Sequence, residues 1–264
     1  MNYFHKTRRR KYLETRKIKM SFDKTVLVYD MDGTLTKSRN PITQEMKDYL
    51  EAVSKKVALC VVSGSDLPKI QEQLGKDVFS YFKYVCSENG LVTYKDSELI
   101  CRKSLKEHLG QANYNAFVNY ALVEIAQLDI PVKTGCFIEL RSGNVNICPV
   151  GRNCTQAERD AFGIYDSERH IRETLVKKFK DKFPNLGLEY AIGGQISFDC
   201  FPTGWDKTFA LNHLKDIYTN IVFFGDKTME GGNDFEIAHS PIVSKYHQVA
   251  GPQEVMSLMK SMGL

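Results

Sequence analysis

The sequence lacks several features that would each have placed it in a particular class of protein. It contains no apolar run long enough to span a bilayer, so no transmembrane helix is predicted. Its seven cysteines are scattered, odd in number and without a Cys-x-x-Cys pair, so a disulfide framework is not indicated. Its six histidines nowhere show metal-ligand spacing. This cysteine usage predicts a reducing compartment, and we expect the cytoplasm.

What the sequence does contain is ordinary for a globular protein. Its 264 residues suffice for one large or two modest domains, and its content of 42% apolar and 26% charged residues is typical. The formal net charge is +4, and much of it comes from residues 1–19. So mild a surplus does not by itself indicate a nucleic-acid partner.

Residues 1–22 form a basic N-terminal extension with almost no pattern of core-forming residues. No apolar segment follows the basic residues, so they do not form a secretory signal. Such an arm could bind a nucleic acid or a membrane surface, or direct the chain to an organelle. Alternatively it is a disordered tail, or lies upstream of a start at Met20. We expect a disordered extension, with neither nucleic acid nor membrane as a partner.

The most informative stretch runs from Val26 to Thr36. A β-branched and apolar run ends abruptly in Asp30-Met31-Asp32-Gly33-Thr34, which is typical of a buried parallel strand that opens into a loop. Ligands bind at that edge of open α/β sheets. Asp30 and Asp32 would repel each other there without a cation, and Mg²⁺ with oxygen ligands would remove that cost. A carboxylate can also act as a nucleophile toward phosphorus.

Two further strand ends are expected at the same edge. The run Val57–Val62 ends in Ser63-Gly64-Ser65, whose hydroxyls and free N–H groups suit an anion. The run Ile221–Phe224 ends in Gly225-Asp226, and this third carboxylate would complete a Mg²⁺ site. Asn233 and Asp234 are expected to brace the following loop.

Lys207 is a candidate partner for these acids. It follows Trp205-Asp206 at the start of a predicted helix, where a cation is unfavourable against the helix dipole. That position suggests a compensating anion, such as Asp30 together with a transferred phosphoryl group. The alternative is a solvated surface lysine.

The middle of the chain has a different pattern. A long helix is predicted over Leu105–Leu128, followed by period-two strands and amphipathic helices, which indicates an inserted α+β domain. Three arginines fall near strand and helix ends and could form a second phosphate clamp: Arg141, Arg152 and Arg159. Ser197 and Asp199 share one strand face, where they could bind sugar hydroxyls or simply face water.

These motifs resemble those of known proteins. Residues Asp30–Thr36 resemble the first motif of the haloacid dehalogenase superfamily, in which the first aspartate takes up a phosphoryl group and the second acts as general acid/base. Further motifs narrow the resemblance to the eukaryotic phosphomannomutase family over about residues 24–264. They are Arg39, Gly64–Asp66, Glu88–Val92, Phe137–Glu139, Pro149–Arg152, Gly193–Asp199, Gly204–Lys207 and Phe223–Thr228.

The fold expected from this resemblance and from the chain pattern is α/β. A Rossmann-like parallel-sheet core of haloacid dehalogenase type would span residues 23–99 and 206–264. An inserted α+β cap domain containing an antiparallel sheet would span residues 100–205. The resemblance also implies a cytoplasmic homodimer joined through the cap.

The resemblance implies a role for each candidate residue. Asp30 would be the nucleophile and Asp32 the acid/base, with Mg²⁺ held by Asp30, Asp226 and the main-chain carbonyl of Asp32. Lys207 and Ser65 would contact the reacting phosphoryl group. The hexose phosphate would be bound by Arg39, Arg141, Arg152, Arg159, Ser197 and Asp199.

The activity implied is the interconversion of mannose 6-phosphate and mannose 1-phosphate through a phospho-aspartate. Hexose 1,6-bisphosphate would be the intermediate and the activator, and the product would supply GDP-mannose for protein N-glycosylation. Two alternatives stay open: a sugar-phosphate phosphatase on the same scaffold, and a non-catalytic sugar-phosphate sensor.

Two departures from the family pattern bear on these expectations. Ser63 stands where family members commonly have glycine, and its added hydroxyl could admit or orient a water, as a phosphatase requires. The stretch Ala238–Val243 lacks the acidic side chain expected near Ser240, which leaves the second cation site of the family open.

Overall fold

The computed structural model of the protein describes residues 22–264, so the predicted basic extension lies almost wholly outside the described residues. Between residues 22 and 264 the chain forms eleven strands and eight α-helices. The strands are β1 (Thr25–Asp30), β2 (Ala58–Val62), β3 (Tyr84–Ser87), β4 (Val92–Lys95), β5 (Glu98–Arg102), β6 (Ile138–Leu140), β7 (Val145–Ile147), β8 (Leu188–Gly193), β9 (Ser197–Pro202), β10 (Asn220–Gly225) and β11 (Lys245–Gln248).

The helices are α1 (Gln44–Ser54), α2 (Leu67–Leu74), α3 (Leu105–Leu109), α4 (Gln111–Gln127), α5 (Gln156–Arg169), α6 (Ile171–Lys182), α7 (Phe235–Ala238) and α8 (Pro252–Ser261). Short 3₁₀ helices span Val78–Ser80, Glu88–Gly90 and Lys207–His213. None of the helices in the described range has the length and apolar character needed to cross a membrane.

Seven strands form the larger sheet, in the order β11-β10-β1-β2-β3-β4-β5. Strands β11, β10, β1, β2 and β3 are mutually parallel, whereas β4 and β5 are added antiparallel at one edge. Since β1 lies between β10 and β2, the residues that follow these three strands must meet at one edge. The sequence-based expectation of a parallel core is therefore confirmed.

The larger sheet is buried on both faces because its central strands are apolar throughout. Leu27 and Tyr29 of β1 face a core that includes side chains of α1, α2 and α8, while Val26 and Val28 face the opposite core. That opposite core is closed by the 3₁₀ helix Lys207–His213 and by α7. A helix was expected after Lys207, and the chain instead winds as this tighter 3₁₀ helix.

Four antiparallel strands form the smaller sheet, in the order β6-β7-β9-β8. One face of this sheet packs Val145, Ile147 and Phe198 against helices α4 and α6. The predicted single helix over Leu105–Leu128 is wrong, because Gly110 adopts φ 74° and separates α3 from α4. The predicted cap range, residues 100–205, starts inside β5, which is a strand of the larger sheet.

Candidate active site

Three carboxylates meet at the carboxyl edge of the larger sheet. Asp30 is the last residue of β1, and Asp226 follows the neighbouring parallel strand β10. Asp234 belongs to the loop that connects Asp226 to α7. One oxygen atom of each residue lies within 4.8 Å of the others, and both Asp30 and Asp234 are buried. The strand-end argument predicted Asp30 and Asp226, whereas Asp234 was assigned only to the loop.

The side chain of Lys207 lies between two of these carboxylates. Its Nζ donates to Asp30 Oδ1 and, at 2.5 Å, to Asp234 Oδ1, and the lysine itself is buried. Lys207 reaches this position because it opens a 3₁₀ helix that the side chain of Asp206 caps. Burial opposes its charge, but Asp30 and Asp234 outweigh burial and raise the pKa of Lys207. The lysine is therefore a fixed cation against the end of β1.

The donor atoms of this group fit a divalent cation. Asp30 Oδ2 is buried and has no hydrogen-bond partner within residues 22–264, whereas its Oδ1 is bound by Lys207. Burial raises the pKa of Asp30 to about 6 despite the opposing charge of Lys207, and burial also raises the pKa of Asp226. Three carboxylates beside one lysine leave surplus negative charge, and carboxylate oxygens are the ligands that Mg²⁺ prefers. Asp30, Asp226 and Asp234 could hold such an ion.

Asp32 has different partners from Asp30, although it is only two residues away. Its Oδ1 accepts a hydrogen bond from the main-chain nitrogen of Arg39 at 2.6 Å and another from Gln73 Nε2 at 3.0 Å. Arg39 adopts φ 61° in the loop after β1, and its side chain is exposed. The structure thus places Arg39 beside Asp32 through its backbone.

The turn after β2 lies next to the acidic group. Asp30 pairs with Val62 across the sheet, so the turn Ser63–Ser65 begins just beyond the level of Asp30. Ser63 is buried and fixed by its neighbours. Its main-chain nitrogen donates to the main-chain oxygen of Cys86 at 3.0 Å, and its hydroxyl oxygen accepts from the main-chain nitrogen of Ser65 at 3.1 Å. The added hydroxyl of Ser63 thus braces this turn.

A second polar group lies on the open face of the smaller sheet. Glu139, Asn146 and Asp199 are direct cross-strand neighbours on β6, β7 and β9. Asn146 is buried and its Nδ2 donates to Ser197 Oγ at 3.1 Å and to Asp199 Oδ1 at 2.8 Å. Ser197 and Asp199 are therefore brought together as their shared strand face predicted.

Two of the predicted arginines join this second group. Arg141 donates to Glu139 Oε2 at 2.6 Å, and Arg152 lies 3.3 Å from the same oxygen. Arg152 also donates to Asn146 Oδ1 at 3.0 Å. Among residues 22–264, the side chain of Arg159 makes one hydrogen bond, to the main-chain oxygen of Arg152 at 3.5 Å. Arg141 also lies 4.0 Å from Asp199 Oδ1, so two carboxylates face Arg141 and Arg152. Arg159 adds a third guanidinium group beside them, which gives the cluster capacity for a further anion.

Sequence reasoning assigned no chemical role to Gln73, Glu139 and Asn146. Their signal in the sequence was weak: one of two glutamines in an amphipathic helix, and two polar residues in short period-two strands. The register between strands that aligns Glu139 and Asn146 with Asp199 is visible only in the structure.

The fold and this edge-of-sheet acidic site define the class to which the protein belongs. A trehalose-6-phosphate phosphatase from Aspergillus fumigatus superposes with a TM-score of 0.55 at 15% identity, over 91% of this chain and 92% of that one. An IMP-nucleotidase from Plasmodium falciparum gives 0.56 at 17% identity, over 90% and 68%. These likenesses confirm a haloacid dehalogenase-type fold, a Rossmann-like core with a cap.

Sequence comparison then gives the family. The family model for eukaryotic phosphomannomutase matches residues 46–262. A phosphomannomutase 1 from Dictyostelium discoideum is 51% identical over 239 residues, which are 90% of this chain and 96% of that protein. A phosphomannomutase from Spinacia oleracea is 49% identical over 231 residues, 88% of this chain and 92% of that protein. The chain belongs to the eukaryotic phosphomannomutase family, as its motifs indicated.

Proposed function

We propose that the protein is a Mg²⁺-dependent phosphomannomutase that interconverts mannose 6-phosphate and mannose 1-phosphate. The observation that carries the proposal is Asp30, a buried carboxylate with one oxygen bound by Lys207 and the other without a partner among the described residues. An oxygen held in this way is available as a nucleophile toward phosphorus. Family membership supplies the substrate class.

The proposed chemistry has two matched half-reactions. A sugar hydroxyl attacks the phosphorus of phospho-Asp30 and gives its proton to Asp32, so that Asp30 leaves as a carboxylate and a hexose 1,6-bisphosphate forms. After the bisphosphate has turned over, Asp30 attacks the other phosphorus, and Asp32 returns the proton to the departing sugar oxygen. General acid/base catalysis of this kind contributes ~10²–10⁴ in rate. Added hexose 1,6-bisphosphate would activate the enzyme by phosphorylating Asp30.

The residues at the sheet edge would stabilise the phosphoryl group in transfer. Lys207 and Ser65 would contact its oxygens, and Asp30, Asp226 and the main-chain carbonyl of Asp32, with the neighbouring Asp234, would hold Mg²⁺. When bound, the ion would neutralise the carboxylates and the phosphoryl oxygens. Lys207 would keep Asp30 oriented throughout.

The group on the smaller sheet would bind the phosphate that is not reacting. Arg141 and Arg152 have guanidinium groups suited to bidentate phosphate binding, and Arg39 and Arg159 would add to them. Ser197 and Asp199, fixed by Asn146, would bind sugar hydroxyls. Closure of the cap, residues 100–205, over the core, residues 23–99 and 206–264, would exclude water from the aspartyl phosphate.

We further propose the setting of this reaction. The enzyme would be a cytoplasmic homodimer joined through its caps, and its product would supply GDP-mannose for protein N-glycosylation. These statements rest on family membership alone.

A coupled assay tests the proposed function. Mannose 1-phosphate is supplied with Mg²⁺ and a trace of hexose 1,6-bisphosphate, and mannose 6-phosphate and inorganic phosphate are measured in parallel. We expect mannose 6-phosphate to form, and Asp30→Asn to lower the rate about 10³-fold or more. Release of inorganic phosphate without mannose 6-phosphate would identify a phosphatase instead, and unchanged turnover in Asp30→Asn would point to a different site.

A further inference from the structure

Gln73 is an unusual residue for its place in the fold. It lies in the last turn of α2, where its neighbours Ile70 and Leu74 are buried in the core, and its own exposure is only 2%. A buried amide costs free energy unless its donors and acceptors are satisfied. The buried position of this polar side chain therefore needs a reason.

The contacts of Gln73 lead to the proposed acid/base. Its Nε2 donates to Asp32 Oδ1 at 3.0 Å, and its main-chain oxygen accepts from the nitrogen of Ile42 at 2.7 Å. Its Oε1 is buried and has no hydrogen-bond partner in the part of the chain that the structure describes. The reverse orientation of the amide would bring Oε1 against the Asp32 carboxylate, where two acceptors repel, so the donor orientation is favoured.

We propose that Gln73 is the positioning residue of Asp32, an inference that rests on the acid/base role assigned to Asp32 above. Gln73 Nε2 and the main-chain nitrogen of Arg39 both donate to Oδ1, which fixes the rotation of the carboxylate. Oδ2 is then the oxygen that exchanges the proton with the sugar. The main-chain nitrogen of Ile42 also donates to the main-chain oxygen of Gln73, which anchors the C-terminal end of the loop that contains Arg39.

A purely structural role would be served better by an apolar side chain. A methionine of similar length would fill the same space and remove the orphaned Oε1. The amide is thus unfavourable for folding and useful only because of the residue it orients. Loss of the amide should therefore lower kcat without lowering the melting temperature.

The test compares Gln73→Met with Gln71→Met, which removes an amide from the same helix. The side chain of Gln71 makes no hydrogen bond among residues 22–264, so its replacement is a matched control. Gln73→Met should lower kcat about 10- to 100-fold with KM within about twofold, since misplacement of a catalytic group by ~1 Å costs this much. Its melting temperature should equal or exceed that of the wild type.

A second donor distinguishes positioning from general damage. Acetyl phosphate releases acetate, which needs no proton on leaving, so phosphorylation of Asp30 by acetyl phosphate bypasses Asp32. We expect Gln73→Met to slow phosphorylation of Asp30 by hexose 1,6-bisphosphate but not by acetyl phosphate. Equal slowing with both donors, an unchanged kcat, or a variant that fails to fold would each overturn the inference. If the wild type releases phosphate instead of forming mannose 6-phosphate, the mutase proposal fails, and Gln73 is judged by kcat and KM for that release.

Discussion

At the scale of single residues, the charge arrangement around Asp30 is the central feature. Asp30, Asp234 and Lys207 are each at most 4% exposed, so their charges are poorly screened by water. Paired charges at such sites depend on every partner, and removal of one leaves the others buried and uncompensated. Asp30 precedes the cap segment in the chain, whereas Lys207 and Asp234 follow it, so this charge balance depends on both parts of the core.

Gly33 gives a prediction at this scale. A Cβ at Gly33 would lie well inside contact distance of Asp226 Oδ2, and the residue has φ +83°. Gly33→Ala should therefore displace the Asp226 carboxylate and raise the Mg²⁺ concentration for half-maximal activity at least ~10-fold, if Asp226 is a metal ligand. Backbone strain adds a loss of about 1–2 kcal/mol in the free energy of unfolding. A Mg²⁺ titration of activity and a denaturant titration of stability measure the two effects.

Gly187→Ala is the matched control, since Gly187 also has a positive φ, +60°, but open space around it. It should show the loss of stability without the change in Mg²⁺ requirement. If Gly33→Ala needs no more Mg²⁺ than this control, Asp226 is not a ligand.

Residue-level prediction from sequence succeeded where a strand end fixes the position. Asp30 and Asp226 follow neighbouring parallel strands, so their meeting could be inferred without coordinates. The pairs Lys207–Asp234 and Gln73–Asp32 are separated by 27 and 41 residues and lie outside any repeating pattern. Their contacts depend on how distant helices and loops pack together, and no local sequence pattern predicts that packing.

At the scale of elements, Arg172 of α6 connects the hairpin of β8 and β9 to the neighbouring helices. Arg172 of α6 pairs with Asp166 of α5 at 2.7 Å, and both side chains are largely buried. Its Nη1 also donates to the main-chain oxygens of Gly194 and Ser197 at 3.0 and 3.1 Å. The hairpin that carries Ser197 and Asp199 is thereby fixed to two helices.

Arg172→Met should therefore affect both stability and binding. The variant leaves Asp166 buried and unpaired, which we expect to lower the free energy of unfolding by about 3 kcal/mol. Loosening of the hairpin should raise KM for the hexose phosphate more than it lowers kcat. Steady-state kinetics and denaturant titration measure both, and a stable variant with wild-type KM would show that Arg172 does not hold the hairpin.

The contact between α4 and α6 has a predictable pH dependence. Lys178 donates to Glu124 at 2.6 Å, and this hydrogen bond lowers the pKa of Glu124. Because the pKa is lower in the folded state, the stabilisation is present at neutral pH and is lost as pH falls through that value. Glu124→Gln should cost about 0.5–1 kcal/mol at neutral pH and reduce the loss of stability on acidification.

Lys178→Met should reduce the loss of stability on acidification in the same way, since either substitution removes the pair. Urea titrations across the pH range provide the measurement. If the free energy of unfolding of Glu124→Gln falls as steeply with decreasing pH as that of the wild type, the contact contributes nothing to stability in solution.

Element prediction from sequence was limited by tertiary context. The capping box of Thr155 and Glu158 forms within one helical turn, and the structure shows both of its hydrogen bonds. Gly110 interrupts the predicted helix because its φ of 74° is outside helical range. The 3₁₀ helix that begins at Lys207 packs against the short helix Glu88–Gly90, with Ala210 too close to Gly90 for any side chain there.

At the scale of the whole molecule, the two sheets carry two different polar groups. The larger sheet presents acids and one lysine, and the smaller sheet presents arginines with Asn146, Ser197 and Asp199. A substrate with phosphates at both ends matches this division, because one end would react while the other is held. The sequence predicted most members of both groups, but the parts played by Asp234 and Asn146, and the cross-strand contacts that assemble the second group, are visible only in the structure.

In the proposed mechanism, Asp30 receives and returns the phosphoryl group. The most direct measurement uses hexose 1,6-bisphosphate labelled in one phosphoryl group, incubated with the enzyme and Mg²⁺, quenched in acid and followed by peptide mapping. We predict label on Asp30 in the wild type and none in Asp30→Asn. Label on any other residue, or full conversion of mannose 1-phosphate by Asp30→Asn, would contradict the account.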